Sequence, residues 1–119
     1  MAIKKGLFPF LPNLKIESFE EPVSALSHFE YCLKNNIKID LIISDLKHPK
    51  PDGFEFSRTI RESEKIYNQR IPILIISMHI HNPLYPIIIE FLADKTFDKV
   101  LPKSCSITEV VEVIKELIF

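Results

Sequence analysis

The sequence predicts an α/β domain, a parallel sheet with helices packed on both faces. Three observations carry this. Short apolar segments alternate with amphipathic ones along the chain, and strands alternating with helices build βαβ units whose strands run parallel. Two of the apolar segments, Ile39–Ser44 and Pro72–Ser77, are continuous runs, as expected of strands covered on both faces. The first of them ends in a single carboxylate, Asp45, and open α/β sheets keep their chemistry at the C-terminal ends of the strands.

The elements follow in order. Leu14–Phe19 is a short strand. Pro22–Asn35 is a helix, with Pro22 suited to its first turn and Val23, Leu26, Phe29 and Leu33 spaced three to four apart. The strand Ile39–Ser44 leads through a Pro-rich loop into a helix over Phe54–Tyr67, with Phe54, Ile60 and Tyr67 facing inward. Pro72–Ser77 is the next strand, Pro86–Ala93 a short apolar helix, and Lys99–Pro102 a last short strand. The helix Thr108–Ile118 carries Val110, Val111, Val113, Ile114 and Leu117 as a broad apolar stripe. Ser106 or Thr108 caps it, and Glu109 three residues after Ser106 completes a capping-box pattern.

A chain of 119 residues is expected to be one domain with a single sizeable core. A net charge of −1 argues against a broad nucleic-acid footprint. No apolar run approaches the roughly 20 residues a membrane span needs, and the Pro-broken N-terminus is too short for a secretory signal. Cytosolic residence is the expectation. Cys32 and Cys105 lack zinc-type or CxxC spacing and read as two reduced, packed thiols. Two glycines against nine prolines imply turns made by Pro, Asn and Asp. Residues 1–13 form an apolar N-terminal segment and 14–119 the core; no repeat or linker is visible.

The run Asp45-Leu46-Lys47-His48-Pro49-Lys50-Pro51-Asp52-Gly53 is the most specific motif. It resembles the phospho-acceptor loop of response-regulator receiver domains, the CheY-like superfamily of two-component signalling. The resemblance covers roughly residues 14 to 118 and implies a flavodoxin-like, receiver-type sheet. On it, Asp45 matches the phospho-acceptor, Ser77 the switch hydroxyl and Lys103 the lysine that partners the carboxylate and then the phosphate. The chemistry suits these residue types. A carboxylate can attack a phosphohistidine to form an acyl phosphate, and a hydroxyl, a lysine and a divalent cation offset the charge on its oxygens. Taken singly, an Asp at a turn, a Ser at a strand end and a surface Lys are commonplace; the signal lies in their order and placement.

The match departs at the N-terminus. Receiver domains open with a strand ending in two adjacent acids, then a helix, which together need about two dozen residues. Only thirteen residues precede Leu14, none of them acidic. The sequence is therefore expected to lack the first strand–helix unit, leaving about four strands instead of five. Leu14–Phe19 is expected to move into the vacated slot beside Ile39–Ser44, since a missing strand would leave a gap of about 4.8 Å and unpaired backbone. That register brings Glu20 and Glu21 beside Asp45, where a surrogate Mg²⁺ site is one reading. The other places both glutamates in the first helical turn, favoured by the helix dipole. Val100 stands where many receivers carry a switching aromatic, with Phe97 out of register. His79 and His81 in the 78–86 loop lack a third ligand and read as a polar loop.

The resemblance implies a receiver-like domain of a phosphorelay, with Mg²⁺-dependent phosphorylation of Asp45 impaired. The alternative is a pseudo-receiver, a phosphorylation-independent protein-interaction module. A catalytic nucleotide-binding domain is set aside for want of a Gly-rich phosphate loop, so the protein is not expected to be an enzyme. Expected partners are a histidine kinase or phosphotransfer protein and a downstream protein target, without nucleic acid or membrane. The chain is expected to act as a monomer or homodimer.

Overall fold

The computed structural model describes residues 22–45, 53–68, 70–77 and 85–118. Helix α1 is Pro22–Lys34, strand β1 Ile42–Ser44 and helix α2 Gly53–Tyr67. Strand β2 is Ile73–Ser77, helix α3 Tyr85–Ala93, strand β3 Lys99–Pro102 and helix α4 Ile107–Ile118. The expected strand Leu14–Phe19, its rearrangement, and the 1–13 segment lie outside the described residues.

The described strands form one parallel sheet in the order β1-β2-β3. Ile42 stands opposite Ile73 and Ser44 opposite Ile75, while Leu74 pairs with Lys99 and Ser77 with Pro102. All five residues of β2 are buried, as its continuous apolar run requires. Its side chains divide between two cores by the period of two. Ile73 and Ile75 pack with Phe29 and Leu33 of α1, Phe56 and Ile60 of α2, and Ile88 and Phe91 of α3. Leu74 and Ile76 pack with Val110, Val111 and Ile114 of α4. Phe91 sits edge-on to Phe54 at 4.9 Å between ring centroids and tilts against Phe97 at 5.2 Å, a favoured aromatic geometry.

Three details depart from the sequence reading, the first being that β1 spans only Ile42–Ser44 of the expected Ile39–Ser44. Strand β1 is half-buried at all three positions. Among the described residues α4 alone covers the second face, and its buried contacts centre on β2, so Ile43 is only partly covered. Val23, expected in the apolar stripe of α1, is 61% exposed. In that stripe Phe29 and Leu33 are buried with Leu26 packed against them, and Val23, in the first turn of α1, lies at the stripe's margin. Both cysteines are free thiols, Cys32 buried and Cys105 partly so, and burial pushes the Cys105 thiol up.

Helix ends explain how a glycine-poor chain turns. Asn36, Asn68 and Lys95 take left-handed backbone conformations after α1, α2 and α3, where glycine is the usual choice. After α1, the N–H of Ile37 reaches back to the Cys32 carbonyl at 2.9 Å; after α3, that of Thr96 reaches Phe91 at 2.9 Å. The start of α4 is capped as expected: the Glu109 N–H donates to Ser106 Oγ at 3.2 Å, and the two side chains meet at 3.4 Å.

At the N-terminal edge of the sheet, Arg61 of α2 gathers groups from three segments. Its guanidinium donates to both Glu64 carboxylate oxygens at 2.7 and 2.8 Å, to the Ile71 carbonyl at 2.8 Å and to the Thr96 carbonyl at 3.2 Å. It also meets Asp98 at 2.9 Å. The acids in turn accept backbone donors: Glu64 takes the Ile71 N–H at 2.5 Å, and Asp98 the Ile73 N–H at 2.7 Å. The network thereby fixes where β2 begins and how the α3–β3 turn lies against it.

Two predictions follow from these contacts. Arg61→Ala leaves Glu64 and Asp98 without their shared guanidinium and is expected to cost about 3 kcal/mol, read as a lowered urea midpoint at unchanged slope; a loss near zero would show that the network does not fix the strand ends. The Thr96 hydroxyl and N–H donate to Asp94 at 2.6 and 2.9 Å and hold its carboxyl below the usual range. A depressed pKa contributes stability above the unfolded value and loses it as pH falls through the folded value. Asp94→Asn is therefore expected to destabilise the protein at neutral pH and to close the gap to wild type below the folded pKa. A gap independent of pH in paired melts would refute that cause.

Candidate functional site

The opposite, C-terminal edge of the sheet carries the three residues singled out by the sequence. Asp45 directly follows the last residue of β1, Ser77 closes β2, and Lys103 directly follows β3. Parallel strands in register bring all three to one edge, although 32 and 26 residues separate them along the chain. The Lys103 N–H donates to the Ser77 carbonyl at 3.0 Å, extending the β2–β3 pairing one residue past Pro102. The lysine backbone is thereby pinned to the end of the central described strand.

From that anchor the side chain crosses the end of β2. Lys103 Nζ lies 2.5 Å from Asp45 Oδ2, although two strand spacings of about 4.8 Å separate β1 from β3. A four-carbon stem can span that distance, and the intervening residue is the small, fully buried Ser77. On the β1 side, the Ser44 hydroxyl donates to the Asp45 carbonyl at 3.0 Å. The Asp45 side chain is 28% exposed and that of Lys103 47%. An ion pair this open to water is worth about 0–1 kcal/mol. Its convergence is therefore not accounted for by stability.

The remaining sequence candidates divide. Val100 is half-buried in β3 opposite Ile75 and packs toward the first core, while Phe97 is buried in it. Glu20 and Glu21, residues 46–52 of the loop, and His79 and His81 lie outside the described residues. Among the described residues no group of three His, Cys, Asp or Glu side chains could hold a metal ion. Mg²⁺ asks for several oxygen ligands in near-octahedral array, and the described donor set offers one carboxylate, already facing an ammonium.

The sequence reading named the members of the site but missed the contacts that fix them. The backbone bond from Lys103 to Ser77 and the Ser44 hydroxyl depend on strand register. A signal for the first existed in the Pro102-Lys103 step, since strand-end residues beside a buried Ser are placed to continue its ladder.

No protein-family model matches the chain. Among curated relatives, Histidine kinase 1 of Arabidopsis thaliana is 35% identical over 69 residues, covering 57% of this chain and 6% of the relative. The cyclic di-GMP phosphodiesterase response regulator RpfG of Xanthomonas campestris is 30% identical over 100 residues, covering 80% of this chain and 25% of the relative. The chain thus spans a quarter or less of the length of these curated relatives. Among solved structures, the receiver domain of the histidine kinase CKI1 of Arabidopsis thaliana, crystallised with Mg²⁺ and BeF₃⁻, aligns with a TM-score of 0.75. It is 26% identical, with 98% of this chain and 80% of that one covered. The chemotaxis protein CheY4 of Vibrio cholerae, 20% identical, aligns with a TM-score of 0.70 over 98% of this chain and 90% of its own, which shows the shared fold. No described helix is long and apolar enough to cross a membrane. The parallel sheet, the order of its elements and these relatives agree: the chain is a receiver domain of the CheY-like type found in two-component signalling.

Proposed function

We propose that this receiver domain accepts a phosphoryl group on Asp45 and relays the modified state to a protein partner. The observation that carries the reading is the contact between Lys103 and Asp45 across the end of β2, at 2.5 Å. An Asp45 carboxylate oxygen attacks the phosphorus of a phosphohistidine on a histidine kinase or phosphotransfer protein. The new O–P bond forms as the P–N bond breaks, and the leaving imidazole nitrogen keeps the electron pair and takes up a proton. The product is an aspartyl phosphate. Lys103 supplies positive charge for its oxygens, and Ser77, at the end of the strand between them, supplies a hydroxyl.

Residues 1–119 act in this reading as one signalling module, not as an enzyme, in the cytosol and as a monomer or homodimer. The crystallisation of the CKI1 receiver domain with Mg²⁺ and BeF₃⁻ supports acyl-phosphate chemistry in a relative. Mg²⁺-dependent phosphorylation is impaired here, in keeping with the single described carboxylate at the site. The competing reading is a pseudo-receiver whose partner recognises the unmodified surface.

The test is incubation of the full chain with excess acetyl phosphate and MgCl₂, followed by intact-protein mass measurement. Wild type is expected to gain one phosphoryl group and Asp45→Asn none. Labelling of both proteins alike would remove Asp45 from the acceptor role. Absence of labelling in wild type would leave the pseudo-receiver reading.

A further inference from the structure

We draw no further inference here: the strongest candidate, the open cleft between α2 and the end of α3 lined by Arg58, Glu90, Phe91, Ala93 and Asp94, carries nothing, because Arg58 already lies over the Phe91 ring at 4.4 Å, Asp94 already accepts from Thr96, and nothing in the structure shows what would cover it.

Discussion

The rest of the molecule depends on the placement of the Arg61 guanidinium. It sits at the N-terminal edge of the sheet and bonds two carboxylates and two carbonyls drawn from α2, the start of β2 and the turn before β3. Those acids hold the N–H of Ile71, just ahead of β2, and of Ile73, its first residue. Strand β2 is buried along its whole length and feeds two cores with alternate side chains, so a shift of one residue would exchange those cores. The guanidinium fork fixes that register at one end. Arg is suited to this because its donors are planar and several can act at once.

The fixed register carries through to the other edge. Four residues after Ile73, Ser77 closes β2 and accepts from the Lys103 N–H. Lys103 then meets Asp45. The two ends of the sheet divide the work: many hydrogen bonds and little exposure at one, an open ion pair at the other. A stable edge and a reactive edge on the same strands let the site stay polar and accessible without carrying the fold.

Much of this was legible in the sequence, for reasons that can be named. Lys99–Pro102 was read with the bounds it has, and the Ser106–Glu109 capping box was read from a four-residue pattern, because both signals are local. Asp45, Ser77 and Lys103 were legible as residue types at strand ends. Their contact was not, because it requires knowing that β2 lies between β1 and β3. The Arg61 network was missed for a similar reason: Asp98 lies far along the chain from Arg61. One clue was present in Glu64, which stands four residues after the fully buried Ile60 and so falls on the same inward face of α2. A charged residue on a core face calls for a partner. The exposure of Val23 shows the opposite limit, since three-residue spacing to one neighbour does not ensure a shared face with the next.

The left-handed residues at Asn36, Asn68 and Lys95 bear on the denatured chain as much as on the native one. Each adopts in the folded protein a backbone conformation that a side chain disfavours. Glycine would remove that cost, but it would also enlarge the set of shapes open to the unfolded chain. With two glycines and nine prolines, the chain sits at the other extreme: its unfolded ensemble is already narrow, and less freedom is surrendered on folding. Part of what keeps this small domain folded therefore resides in the poverty of its alternatives.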